Sequence, residues 1–165
     1  MQLTSFNDLY LAELQELQSM KRQLADAHQR FAEAALNPRL TNEFMKHYRE
    51  TESQIERIDD LLATQDVTEN PHTDQAMEAL VLETEKMIEL IPEGELRDVA
   101  LIASAQKIAH YEIAAFGSAA ALAGQLDRRD DQKVLHACLQ EEKRADTALT
   151  KLAKGDVNPN AAAAE

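Results

Sequence analysis

The chain has no tryptophan, and its three tyrosines and four phenylalanines leave aromatics at only 4% of 165 residues. Sheet proteins draw on aromatic and β-branched residues for their pleated faces, and runs of that kind are missing. Glycine and proline number four each, too few for the frequent turns of a sandwich or barrel. A single cysteine, Cys138, excludes an intramolecular disulfide and any zinc site built from paired cysteines. Lying on an apolar line between Leu135 and Glu142, it reads as a small buried hydrophobe. No run of about 18 apolar residues is present, which removes a membrane-spanning helix. The start, Met1 to Ser5, has neither the basic nor the apolar part of a secretory leader, so a cytoplasmic location is the default expectation. Basic residues are outnumbered 17 to 30 by acidic ones, for a formal charge of −13. Such a surface repels phosphate backbones and anionic lipid, so neither nucleic acid nor membrane is an expected partner. A Gly-rich phosphate loop, a nucleophile elbow and a Ser/His/Asp arrangement are also missing. That argues against hydrolase, kinase and dehydrogenase chemistry, and no organic cofactor is expected.

What remains is rich in Ala, Leu, Glu, Lys and Gln, the residues that lose least on entering a helix. The first helix starts at Thr4 or Ser5, with Asp8 completing a capping box. Its core line is Tyr10, Leu14, Leu17, Lys21, Leu24, His28, Phe31 and Ala35. Asn37-Pro38 stops it and opens a second helix to about Ala63, along Leu40, Phe44, His47, Thr51, Ile55, Ile58 and Leu62. So short a connection forces an antiparallel hairpin. A polar stretch from Gln65 to Thr73, with Pro71, reads as a loop. A shorter helix follows from about Asp74 to Leu90. A third long helix runs from Glu95 to Leu126, rich in small residues from Ala114 to Gly124. A fourth runs to about Ala153, along Leu135, Cys138, Glu142, Ala145, Leu149 and Leu152. The expected architecture is all-α, a ferritin-like four-helix bundle: two antiparallel hairpins joined by a long crossover that carries a fifth, shorter helix. One domain covers residues 1–154, and residues 155–165, with nothing to bury, form a flexible tail.

Four ionisable residues interrupt these apolar lines near the helix midpoints: Lys21, Glu50 with His47 beside it, Glu112 and Glu142. A charge on a buried line costs several kcal/mol unless it is paired or holds a metal. Helices of similar length bring their midpoints to one level, and mid-bundle carboxylates are how such bundles hold two metal ions, with a Glu from each of two helices and a Glu-x-x-His pair from each of the others. Carboxylates with a few imidazoles suit iron or manganese. The complete motif is absent. Glu50 has no His three residues on, Glu142 likewise, and His110 stands two residues from Glu112, about 200° around the helix.

Three stretches carry a resemblance: FMKHYRETESQIERID over residues 44–59, RDVALIASAQKIAHYEIAAFG over 97–117 and LQEEKRADTALT over 139–150. They closely resemble the YciF-type family of ferritin-like proteins. The resemblance implies a ferritin-like bundle, a homodimer, a link to bacterial stress responses, and a candidate iron or manganese site drawn from His47, Glu50, His110, Glu112, Glu142 and Asp146. Two departures stand out. That family commonly has Glu where this chain has Lys21, and again where it has Ala109. Both remove negative charge. The chain is thus expected either to hold iron or manganese at mid-bundle, or to be a metal-free structural relative in which Lys21 supplies the missing positive charge. A third reading makes it a partner-binding module that dimerises through the Ala-rich helix.

Overall fold

The computed structural model describes residues 3–65 and 72–164. Five helices dominate: α1 (Phe6–Ala34), α2 (Pro38–Ala63), α3 (Gln75–Leu90), α4 (Glu95–Gln125) and α5 (Arg129–Leu152). A π-helical turn (Ala153–Val157) and a short α6 (Asn158–Ala163) follow. The loop expected over Gln65–Thr73 lies mostly outside the described residues.

The caps fall where the sequence puts them. Ser5 Oγ accepts from the Asp8 amide and the Asp8 carboxylate accepts from the Ser5 amide, closing the capping box of α1. Asn37 Oδ1 accepts from the Arg39 and Leu40 amides, with Pro38 as the first helical residue of α2. Asp74 caps α3 through the Met77 amide at 2.8 Å. Gly94, at φ 153°, makes the turn into α4 in a backbone region that side-chain-bearing residues avoid. At the other end of α4, Asp127 takes the left-handed conformation at φ 58°. The Arg128 amide reaches back to the Ala123 carbonyl and the Asp127 amide to that of Gly124, so a Schellman turn reverses the chain into α5.

In the bundle α1 packs on α2 and α4, and α5 packs on α4 and α2, while α3 lies over α1 and α4. Long-range hydrogen bonds fix the directions. Tyr10, near the start of α1, donates to Asp131 at the start of α5. Asp98, near the start of α4, accepts the amides of Leu36 and Asn37 just ahead of α2, both at 2.8 Å. Helices α2 and α4 are therefore parallel, as a crossover through α3 requires. The core includes Leu14, Leu17, Leu24, Phe31, Phe44, Ile58, Phe116 and Leu149. Cys138 is wholly buried, and burial pushes its thiol up to about 11, so it acts as the expected small hydrophobe. No helix among the described residues is long and apolar enough to cross a membrane.

Asp98 is 2% exposed and uses both carboxylate oxygens on the α1–α2 turn. Its loss orphans two amides and removes two charge-assisted bonds, so Asp98→Ala should cost roughly 3 kcal/mol. For a chain of this size that is a fall in thermal midpoint of roughly 6–12 °C, readable by circular dichroism, with Asp98→Asn falling about half as far.

One expectation needs correction. Residues from Gly155 onward do bury something: Val157 is 2% exposed and packs beside the α1–α2 turn, and Asp156 meets Asn37 and Arg39. The wider π turn swings this one β-branched residue inward out of a Gly/Asp/Asn/Pro context that reads as a tail. The small residues of α4 are divided between core and surface, with Ala114, Ser118 and Ala121 exposed. Ala119, Ala120 and Ala123 are buried, whereas Gly117 faces open space.

Candidate functional site

The centre of the bundle holds a buried polar network built on Lys21. Its ammonium lies between two carboxylates, contacting Glu112 of α4 and bonding Glu142 of α5 at 2.9 Å. Gln54 of α2 completes it: its amide nitrogen donates at 2.8 Å to both Glu142 and Glu141. Arg57, one turn further on, clamps Glu141 from outside with two bonds of 3.1 and 2.6 Å. The Phe116 ring lies 5.5 Å from the Lys21 nitrogen and adds a cation–π contact. Lys21 is 1% exposed, Glu112 3% and Gln54 0%. A group from each of the four long helices therefore meets at one level, which follows from helical spacing. Residues 51, 54 and 58 on α2, 105, 108, 112 and 116 on α4, and 138, 142 and 145 on α5 each recur every three or four positions.

The electrostatics are those of a cation shared by two acids. Burial alone would lower the Lys21 pKa, but the charges of Glu112 and Glu142 outweigh it and hold the ammonium protonated. Burial, and then the Glu142 charge, pushes the Glu112 carboxyl up to about 8. Burial also opposes ionisation of Glu142, yet Lys21 prevails and holds it below the usual carboxylate range. The two acids interact closely enough to titrate as a coupled pair.

The sequence-derived metal ligands divide. Glu112 and Glu142 meet at the centre. His47 is buried one turn from Thr51, and its Nε2 lies 4.0 Å from Glu43. Glu50 stands on the flank of α2 with its side chain one-third exposed, 3.8 Å from Lys46. It is one residue, about 100°, from the inward position, which Thr51 occupies. His110 is on the outside of α4, two-thirds exposed, 3.5 Å from Asp146, and Asp146 also accepts from Gln106. Glu50, His110 and Asp146 thus face away from the network. Sequence reasoning placed Thr51 on the core line of α2 but passed over Gln54, three residues further on, which is wholly buried.

That spacing permits a test of fit. A di-metal bundle takes one Glu from each of two helices and a Glu-x-x-His pair from each of the other two. The inward residues at this level are Lys21; Thr51 and Gln54; Glu112; and Glu142 with Ala145, all buried. Two of the six positions carry a ligand. An ammonium stands between those two carboxylates, and among the described residues no three acid, imidazole or thiol side chains converge to hold an ion. The side chains present do not fit a di-metal cluster.

Comparison with known proteins agrees with the fold. YciF of Escherichia coli strain K12 is 40% identical over 162 residues, spanning 98% of each chain. The crystal structure of YciF, described as a stress protein of that organism, superposes with a TM-score of 0.89 at 39% identity, covering 94% of this chain and 99% of that one. YcfI of Rhodopseudomonas palustris, described as a candidate structural protein, superposes with a TM-score of 0.85 at 31% identity, covering 89% of this chain and 94% of the other. A family described as Domain of unknown function (DUF892) matches residues 5–162. With a shared all-helical bundle and likeness along nearly its whole length, the chain belongs to the DUF892 family, as a YciF-like protein.

Proposed function

We propose that the chain is a stress-associated structural protein in which the Lys21 ammonium takes the place of a metal cation at the bundle centre. The observation that carries this reading is the Lys21 nitrogen lodged between Glu112 and Glu142, with Gln54 satisfying the same carboxylate. An ammonium brings one positive charge and three donors, enough to satisfy buried oxygens without an ion. The relatives, described as a stress protein and a candidate structural protein, point the same way. The test is to load the purified protein with iron(II) or manganese(II) and count bound metal beside a Glu112→Gln variant. The expected result is no binding that depends on Glu112. One ion per chain in the native protein, lost in Glu112→Gln, overturns the reading.

The proposal includes self-association. Phe6, Leu9 and Leu3 leave apolar side chains exposed at the start of α1, and a second copy is the partner that the resemblance implies. Sedimentation at micromolar concentration should give twice the 18.4 kDa chain mass. A monomer mass removes that part of the proposal.

A further inference from the structure

Although the chain carries a formal charge of −13, one of its faces is basic. The outward line of α5 runs Arg129, Lys133, His136, Gln140, Lys143, Thr147 and Lys151 at spacings of three and four, and every one of these residues is exposed. No acid stands on that line, which is roughly 33 Å long at 1.5 Å per residue. Most acids of α5 are engaged elsewhere: Asp131 accepts from Tyr10, Glu141 from Arg57, Glu142 from Lys21 and Asp146 from Gln106. Arg129 and Lys133 meet Asp127 and Asp130 at 2.8 and 3.3 Å. That leaves Lys143 and Lys151 as the charges of the line without a carboxylate partner among the described residues.

The complementary surface lies between α1 and α3. A groove of about 250 Å³ there presents Asp26, Glu78 and Glu85 around Val81 and Leu82. Arg30 also lines it, but its guanidinium is taken by Glu85 through two bonds of 2.8 and 2.5 Å. Asp26 and Glu78 are left over, both exposed, and Leu82 is 58% exposed between them and solvent. Such a groove seats a lysine, whose aliphatic stem lies on the leucine while its ammonium meets a carboxylate. Helix α3 lies over α1 and α4, whereas α5 packs on α4 and α2. Groove and stripe are therefore on different faces of one molecule and can meet only between molecules. We infer that the basic stripe of α5 docks in the acidic α1–α3 groove of a second copy of the chain, a contact separate from the one at Phe6, Leu9 and Leu3. The spacings agree: Lys143 and Lys151 stand about 12 Å apart along α5, and Glu78 and Glu85 about 10 Å apart along α3. The two surfaces in contact differ, so the association runs head to tail instead of closing as a two-fold pair. Net charge does not forbid it. At 0.1 M salt, fields are screened beyond about 10 Å, which spares the side chains paired at the contact and mutes the repulsion between the two acidic bodies.

Sedimentation equilibrium of the full chain at about 0.3 mM, where weak contacts populate, tests the docking. The expected weight-average mass is at least about a third larger in 0.1 M than in 1 M sodium chloride, where the screening length falls to about 3 Å. An apolar contact through Phe6 survives the higher salt and adds nothing to that difference. Lys143→Glu with Lys151→Glu should abolish the difference, and so should Asp26→Lys with Glu78→Lys. Mixed in equal amounts, the two double variants should regain it, since each supplies the complement of the other on both surfaces. All four positions are exposed, so the variants keep the core intact. A native mass independent of salt, a difference that either double variant retains, or a mixture that behaves like its components overturns the inference. Each of those outcomes leaves the reading of Lys21 and the contact at Phe6 untouched.

Discussion

Lys21→Ala should destabilise the chain by about 3–5 kcal/mol, the cost of removing one partner from a buried ion network. The expected fall in thermal midpoint is roughly 6–20 °C. The lost side chain is only part of this. The two carboxyls are left in a site 3% and 7% exposed with no cation between them, and Gln54 alone cannot satisfy them. The effect should also depend on pH. Without Lys21, burial keeps both acids protonated in the folded chain above the unfolded value of about 4.5. Between that value and the raised folded one, the folded state binds more protons than the unfolded, so stability falls as pH rises. The penalty at pH 8 should exceed the penalty at pH 5. A neutral replacement made all at once, Lys21→Met with Glu112→Gln and Glu142→Gln, should recover most of the loss, because no charge is left unpaired. Urea unfolding of the three proteins at the two pH values measures all of this. A Lys21→Ala protein that melts with the native one would show that the ammonium does not hold the carboxylates.

The paired change Lys21→Glu with Gln54→His should turn the core from metal-indifferent to metal-dependent. It places a third carboxylate and an imidazole among Glu112 and Glu142, restoring two of the four lost ligand positions of a di-metal bundle. Without metal the variant should be less stable than Lys21→Ala, since three acids then share one dry site. With manganese(II) at 100 to 1,000 times its dissociation constant, binding to the folded state returns about 2.7–4.1 kcal/mol, a rise in midpoint of roughly 5–16 °C. The native chain at the same manganese concentration should not shift. Scanning calorimetry with and without the ion decides it, and a variant indifferent to manganese would mean that the four helices leave no room for an ion even with its ligands supplied.

The helices were legible because their signals are local: Ser5 with Asp8, Asn37 with Pro38, and apolar spacing of three and four. That Lys21, Glu112 and Glu142 share a level was legible too, since helix midpoints align whatever the directions. The inward register of α2 was harder. The core line of α2 held Thr51 and kept Glu50 at its edge, but it ran through Ile55, whereas Gln54 is the residue that faces the core. His110 and Asp146 entered through resemblance to a family and pair with one another on the outside of the bundle. Val157 was hidden because a π turn, which breaks the periodicity used to find helices, is what turns it inward.

Lys21 also bears on the order in which the chain can assemble. The nearer of its two partners, Glu112, lies 91 residues further along, so at about 5–20 residues per second a ribosome needs roughly 5–18 s to deliver the first carboxylate after Lys21 is made. Through that interval the α1–α2 hairpin carries a lysine on its sticky face with no acid to meet it. A half-bundle that closed early would have to strip water from that charge for no return. The first hairpin is thereby discouraged from pairing with another copy of itself, and waits for the second.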